Sequence, residues 1–289
     1  MFKSNSVKQL LLLSVAPNVP ENWFNLSSML NLLDMESLED ATGDLKIYNL
    51  LVGKSSGQPK FGCPYCDSGK PFDLEPYNLL DLKTIQKLNQ DYQNQGNRRI
   101  QSHFQNFVNP PILSMDPEKR VIEVLHIPSL HLLLGVVDKL LQELEKKVSK
   151  NWVDKYLKKV NIVRKSYQGQ HSLEGNQCSE FLKKLDILER ELMKESTGLI
   201  VATLPILQVF RTFRKVQESC FGMEVKPDFR DHIAEFSRVY RSLEISVTPK
   251  VHIIERHIKD FYDIHGEKHG LGFWSEQPFE AMHHEMKML

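Results

Sequence analysis

The chain has 289 residues, of which 41% are apolar and 26% are charged, and its 37 basic side chains equal its 37 acidic ones in number. This composition excludes a wholly disordered chain, and the balanced charge restricts any nucleic-acid interface to a local patch. No apolar run approaches the roughly 18 residues of a membrane span, and four cysteines are too few for a disulfide scaffold. We therefore expect an intracellular protein that is neither secreted nor embedded in a membrane.

The N-terminal region predicts a small α/β unit. The apolar run Lys8–Ala16 is typical of a buried strand, and residues 21–33 carry apolar side chains at helical spacing. Residues 41–53 form a second apolar stretch, which predicts a strand or a strand that leads into a helix, with Asp44 near its start. An acid in such a stretch is costly to bury, so Asp44 is either a functional carboxylate or the N-cap of a helix.

The sequence CPYC at residues 63–66 is the sharpest local motif. Two thiolates at this spacing lie on one tight turn and can share a zinc ion. The same motif also serves thiol-redox chemistry, in which Cys63 would be the nucleophile. That chemistry needs a helix after the motif, whereas residues 67–71 predict a turn. An incidental pair of cysteines is the third interpretation.

The chain between the cysteine motif and residue 128 is polar, with one helix predicted near residues 79–95, and helical periodicity continues from there to the C-terminus. Residues 128–148 carry one apolar stripe. Further helices are predicted at residues 151–167, 177–195, 199–221, 228–243, 250–264 and 276–289.

A basic patch lies within this helical part. Between Asp138 and Lys165 there are nine basic and four acidic side chains, with Trp152, Tyr156 and Tyr167 in or beside this stretch. Such a patch could follow a phosphate backbone, although a merely solvated helix face is the commoner reason for such charge. The candidate DNA-contacting residues are Lys146, Lys147, Lys150, Lys155, Lys158 and Lys159.

Two histidines five residues apart, His252 and His257, complete a candidate metal site. Together with Cys63 and Cys66 they form the ligand set of a tetrahedral structural zinc site, with a gap of 186 residues between the two pairs. Because usual zinc motifs are more compact, helix-surface histidines are the alternative interpretation.

Two separated carboxylates form the other candidate site. Glu280 follows a turn rich in glycine and aromatic residues and enters the last predicted helix. Carboxylates on facing elements hold Mg²⁺ in two-metal sites, so Asp44 and Glu280 are candidate magnesium ligands. A solvated acid in the first turn of a helix is the alternative role of Glu280.

Together these motifs resemble the catalytic core of the DDE recombinases of the Transib and RAG type. In that family an active-site aspartate precedes a C-x2-C zinc knuckle by 19 residues, similar to the separation of Asp44 and Cys63. A Gly-x-Trp turn leads after eight residues to the active-site glutamate, similar to Gly272 and Glu280. Three further family features, a proline-led Leu-His segment, a Gly-Asn pair and a His-x4-His pair, are similar to residues 128–131, Gly175-Asn176 and His252 with His257.

The resemblance spans residues 8–289 and implies an α/β fold with predominantly α content. This fold would be a truncated RNase H-like core that carries a long, mainly helical, zinc-linked insertion. The corresponding divisions are residues 1–60 for the partial core, 61–249 for the zinc knuckle and helical insertion, and 250–289 for the return segment.

The resemblance also implies the ligands and partners of the chain. Structural Zn²⁺ would be bound by Cys63, Cys66, His252 and His257, and Mg²⁺ or Mn²⁺ by Asp44 and Glu280. The resemblance implies DNA as the partner and the nucleus as the location, and it allows a homodimer. It implies no small-molecule substrate.

Strand-transfer enzymes of this family hold two Mg²⁺ ions with three carboxylates and cut DNA by in-line attack on a phosphodiester. The first of these acids lies in the family on a strand before the equivalent of Lys8–Ala16, and no acidic residue precedes Glu21 here. We therefore expect an incomplete enzyme, weakly active or inactive alone, with Glu276 as a competitor of Glu280 for the glutamate role. The alternative is a non-catalytic, zinc-stabilised module that binds DNA or protein.

Overall fold

The computed structural model describes residues 22–32, 42–55, 60–96, 100–112, 115–167 and 170–275. In these ranges the chain is predominantly helical. The α-helices, in chain order, are α1 (Trp23–Leu32), α2 (Leu45–Leu51), α3 (Leu82–Asn94), α4 (Ser129–Val148), α5 (Lys150–Lys159), α6 (Gly175–Lys183), α7 (Leu185–Leu192), α8 (Thr197–Cys220), α9 (Phe229–Arg241), α10 (Pro249–His252) and α11 (Ile258–His265).

Several shorter elements complete the description. A π-helical turn, Ile253–His257, joins α10 to α11, and 3-10 turns in the described residues lie at Gln101–Phe104, Val121–Glu123 and Leu271–Trp274. The predicted strand Lys8–Ala16 and the predicted last helix, with Glu276 and Glu280, lie outside the described residues. None of the described helices is long and apolar enough to cross a lipid bilayer.

The centre of the fold is formed by α4, α8 and α9. Helix α8 packs against both of the others, and α4 also contacts α5, α6 and α10. The apolar stripe predicted for residues 128–148 faces this centre, because burial of its side chains is the main stabilising term for an amphipathic helix. Fully buried side chains of the centre include Val136, Val137, Leu140, Phe210, Phe213 and Phe236.

Helix α2 lies within residues 41–53, for which the sequence predicts a strand or a strand that leads into a helix. Asp44 is its N-cap, with a carboxylate oxygen that accepts a hydrogen bond from the Ile47 N–H at 2.7 Å. This bond satisfies one of the backbone donors that a helix leaves unpaired at its start. The N-cap interpretation of Asp44 is therefore the one that the local structure supports.

The helix predicted at residues 151–167 forms only in its first part. Helix α5 ends at Lys159, and Asn161 then adopts a left-handed φ of 56°, a conformation that asparagine tolerates better than most residues. Two short strands, β1 (Lys165–Tyr167) and β2 (Gln170–Ser172), pair antiparallel. They form the only sheet in the described residues.

Candidate metal centre

The four predicted zinc ligands lie together in one buried cluster. One donor atom each from Cys63, Cys66, His252 and His257 lies within 4.8 Å of all the others. The Cys66 Sγ is 3.2 Å from His252 Nε2 and 3.3 Å from His257 Nε2. The two Nε2 atoms are 3.2 Å apart. The expected proximity of the cysteine and histidine pairs is confirmed.

The spacing of these donor atoms fits one metal ion. Tetrahedral zinc with bonds of about 2.0–2.3 Å places neighbouring donors about 3.3–3.8 Å apart, close to the three separations among Cys66, His252 and His257. Two sulfur and two imidazole donors suit zinc, whereas Mg²⁺ requires oxygen ligands. All four donors are protein side chains, so the cluster has the composition of a closed structural site.

The cysteine turn is held in place by its neighbours. The Tyr65 carbonyl accepts a hydrogen bond from the Leu80 N–H at 2.9 Å, and the Asp67 carboxylate accepts two hydrogen bonds of 2.8 Å from Asn78. The Tyr65 hydroxyl donates to the His126 carbonyl at 3.0 Å. These contacts hold the chain on both sides of Cys66.

The surroundings of the cysteines disagree with the thiol-redox interpretation. Both side chains are fully buried, and burial raises the pKa of the Cys63 thiol. Reactive cysteines have a lowered pKa and partial exposure. The predicted turn, and no helix, follows Cys66. Cys63 therefore lacks the surroundings of a reactive nucleophile, and its position suits a metal ligand.

The two histidines converge because the helix widens between them. In a regular α-helix, residues five apart point in directions about 140° apart around the axis. Here the π-helical turn Ile253–His257 intervenes, and the Ile258 N–H donates to the Ile253 carbonyl five residues back. The imidazole centroids consequently lie 4.9 Å apart. Such π turns are common at functional sites, and the sequence pattern did not reveal this one.

Asp260 and Tyr77 orient one of the histidines. Asp260 Oδ2 lies 2.8 Å from His257 Nδ1 and accepts a 2.6 Å hydrogen bond from the Tyr77 hydroxyl. With Nδ1 donating to the carboxylate, Nε2 is left to face the cluster, as in carboxylate–histidine–zinc arrangements. Neither residue was a sequence candidate, although an acid three residues after a ligand histidine on a helix is a usable signal.

The pKa directions of Cys66 and His252 suit metal binding, whereas those of Cys63 and His257 favour the protonated forms in the absence of an ion. The hydrogen bond from Cys63 lowers the pKa of Cys66, and the two histidines add to this effect against the opposing effect of burial. Burial lowers the pKa of His252. For His257, burial acts to lower the pKa, but hydrogen bonds to Asp260 and Cys66 outweigh it and raise the value. A thiolate and a neutral imidazole are the protonation states that bind metal.

The remaining candidate residues do not form a second cluster in the described part of the chain. Asp44 is partly exposed at the start of α2, and Glu280 lies outside the described residues, so the magnesium pair stays a prediction. The six candidate lysines are all exposed at the end of α4 and on α5. Lys146 pairs with Glu143 and Lys159 with Glu191 at 2.8 and 2.9 Å.

No model of a known protein family matches the sequence, and no curated protein matches it significantly. The functional assignment therefore rests on the geometry of the metal cluster and on the order and spacing of the sequence motifs.

Proposed function

We propose that this chain is a zinc-stabilised, DNA-binding relative of the Transib/RAG-type DDE recombinase core. The observation that supports the proposal is the convergence of a C-x2-C pair and a His-x4-His pair across 186 residues. The resemblance requires this convergence, and neither pair alone would produce it. An RNase H-like core with a zinc-linked helical insertion is the fold that belongs to the proposal.

Zinc would have a structural role in this protein. Its four ligands would be Cys63, Cys66, His252 and His257, which leave no open position for a catalytic water. A bound ion would join the cysteine turn to the helical run at residues 249–265. Zinc binding would then contribute to folding free energy directly.

DNA would contact the basic surface at the end of α4 and on α5. Four of the six candidate lysines make no ion pair with another described residue, which leaves their charges available to phosphates: Lys147, Lys150, Lys155 and Lys158. Neutralised phosphates release counterions, so this binding would weaken steeply with salt.

The catalytic part of the proposal concerns Asp44 and Glu280. Mg²⁺, when bound, would activate a water or a 3′-hydroxyl and stabilise the leaving oxygen of a phosphodiester. Asp44 Oδ1 already caps α2, so a metal bound there would share this carboxylate with the helix cap. We expect cleavage by this chain alone to be weak or absent, because the family uses three carboxylates and only two positions here are matched to them.

A second candidate function is a non-catalytic, zinc-stabilised module that binds DNA or protein. The observation that favours it is the capping role of Asp44, which gives this acid a structural reason to be present. The two candidates share the metal site and differ in whether phosphodiester chemistry occurs.

DNA binding is tested with the double substitution Lys155→Ala/Lys158→Ala. We expect weaker duplex binding and a log–log salt slope smaller by about 2, since each phosphate contact contributes about 0.9. The matched control is Lys87→Ala/Lys268→Ala, which removes the same charge from exposed positions elsewhere. Equal affinities of the two double variants would contradict the proposed DNA surface.

Catalysis is tested by a nicking assay with Mg²⁺ or Mn²⁺. Activity that is lost in Asp44→Ala and in Glu280→Ala, but kept in Asp186→Ala at an exposed position, supports the recombinase-like chemistry. DNA binding without any such activity supports the non-catalytic module. Nicking that survives both substitutions would contradict the active-site assignment.

A further inference from the structure

Lys54, just after α2, is buried in a way that its sequence context does not explain. Its side chain has no exposed surface, and no carboxylate of the described residues pairs with it. The ammonium donates to the Phe61 carbonyl at 3.1 Å and to the Cys63 carbonyl, and it lies 4.8 Å from the centroid of the Phe107 ring. Three partners thus match its three N–H donors.

Burying a cation without a carboxylate is costly unless its donors are satisfied. Two carbonyl acceptors and the face of one aromatic ring provide that compensation for Lys54. The ammonium is therefore held in one place, against the backbone of the cysteine turn.

Lys54 acts together with Asn49 on the segment that presents the first cysteine. The Asn49 amide donates to the Gly62 carbonyl at 3.2 Å. Three successive carbonyls, those of Phe61, Gly62 and Cys63, therefore each accept a hydrogen bond from a side chain at the end of α2. The two donors are themselves joined, since the Lys54 N–H donates to the Asn49 carbonyl at 2.7 Å.

We propose that Lys54 is a positioning residue of the metal centre, which with Asn49 holds the backbone at Cys63 so that both cysteine thiolates bind one ion. Lys54 is not a ligand: its amine points at carbonyl oxygens and carries no free lone pair while protonated. The inference rests on the zinc site of the proposed function. It adds Lys54 and Asn49 as residues that set the geometry of that site without binding the ion.

The test compares zinc affinity in the full chain, measured by competition with a chromophoric chelator. Lys54→Met keeps an unbranched side chain that is one atom shorter, but removes its three donors and its charge. We expect it to weaken zinc binding by about 10- to 100-fold, the range usual for residues that orient metal ligands. Lys60→Met is the matched control, because Lys60 is exposed and its ammonium lies over the Phe61 ring at 5.5 Å. We expect that control to stay within about 2-fold of the wild type, as surface substitutions generally do.

Two further measurements separate positioning from general stability. The visible spectrum of the Co²⁺-substituted protein reports ligand geometry, and it should change in Lys54→Met and stay unchanged in Lys60→Met. Asn49→Ala removes only the Gly62 contact and should weaken zinc binding in the same direction by a smaller factor, so it carries the test if Lys54→Met does not fold.

The outcomes distinguish this inference from the zinc site itself. A wild-type chain that binds no zinc contradicts the metal centre. If the wild type binds zinc and folded Lys54→Met keeps the same zinc affinity and Co²⁺ spectrum, the role of Lys54 alone is overturned. If Lys54→Met is unfolded, the same result in Asn49→Ala overturns that role.

Discussion

At the scale of single residues, the hydrogen bonds of His257 decide how it faces the cluster. Asp260 receives hydrogen bonds from both His257 and Tyr77 through the same oxygen, Oδ2. Hydrogen bonding to the charged form, from His257 and then Tyr77, outweighs burial and lowers the pKa of Asp260. The carboxylate therefore stays charged and holds the ring with Nε2 inward.

Asp260→Asn tests this orientation. An amide removes the charge while keeping the size of the side chain, so we expect zinc affinity to fall by about 10-fold with the fold retained. Asp263→Asn is the control on the same helix, because Asp263 is exposed and pairs with Arg230 at the surface. Chelator competition measures both variants, and an Asp260→Asn affinity equal to that of the control would refute the orienting role.

The candidate metal ligands were easier to predict than the residues that support them. Cys63 and Cys66 are recognisable by their C-x2-C spacing and His252 and His257 by their five-residue spacing, and the resemblance contains both pairs. Lys54 and Tyr77 act through contacts made only in the folded chain, such as the bond between Tyr77 and a residue 183 positions later. No local pattern encodes such contacts.

At the scale of elements, the π-helical turn is anchored by a buried ion pair. The Glu255 side chain is 1% exposed and accepts hydrogen bonds of 3.0 and 2.6 Å from Arg241 of α9. Arg241 also donates to the Phe72 carbonyl at 2.9 Å, and the Phe72 ring stacks on His252 at 4.7 Å. The pair therefore connects α9, the π-helical turn and a loop beside a metal ligand.

Arg241→Met should lower the free energy of unfolding by about 3 kcal/mol, because it leaves the buried Glu255 carboxylate without its cation. Arg230→Met should cost less than about 1 kcal/mol, because its pairs with Asp263 and Glu267 lie at the surface. Urea unfolding of the two variants measures the difference. Equal losses would show that the Arg241 pair does not anchor the turn.

Gly270, after α11, packs closely against Gly222, after α8. A Cβ at Gly270 would lie 2.3 Å from the Gly222 carbonyl oxygen, a backbone atom that cannot move aside cheaply. We expect Gly270→Ala to destabilise the fold by about 1–3 kcal/mol, as overpacking does. Gly198→Ala at the start of α8 meets open space and should be neutral or slightly stabilising. Thermal melting distinguishes them, and similar melting temperatures would contradict this close approach.

Helices with a clear apolar stripe were predictable, and elements decided by local chemistry were not. The helices expected at 79–95 and 228–243 are confirmed as α3 and α9 with shifts of a few residues. Residues 41–53 contain a helix because the Asp44 side chain caps it, a contact that outweighs an apolar pattern compatible with a strand. The π-helical turn has the same hydrophobic pattern as an ordinary helix, so periodicity alone did not show it.

At the scale of the whole molecule, the metal cluster joins parts of the chain that are far apart in sequence. Closing a loop of this length restricts the unfolded chain strongly in loop-entropy terms, and a metal bound only by the folded state stabilises it further. Whether residues 1–60, 61–249 and 250–289 behave as separate units stays a prediction.

Zinc removal should therefore loosen two separated regions together. We expect a chelator to lower the melting temperature and to increase amide hydrogen exchange in residues 61–66 and 249–265, with little change in α5 and α7, whose packing does not involve the cluster. Cys66→Ser should reproduce the effect without chelator, whereas Cys178→Ala, at a buried cysteine outside the cluster, should keep the zinc. Exchange that rises uniformly, or not at all, would contradict a local metal link.

Zinc K-edge X-ray absorption on the purified chain measures the central claim most directly. The expected first shell contains two sulfur atoms at about 2.3 Å and two nitrogen atoms at about 2.0–2.1 Å, with about one zinc per chain. A chain without stoichiometric zinc, or a first shell without two sulfur ligands, would contradict the convergence of the cysteine turn and the histidine pair on one ion.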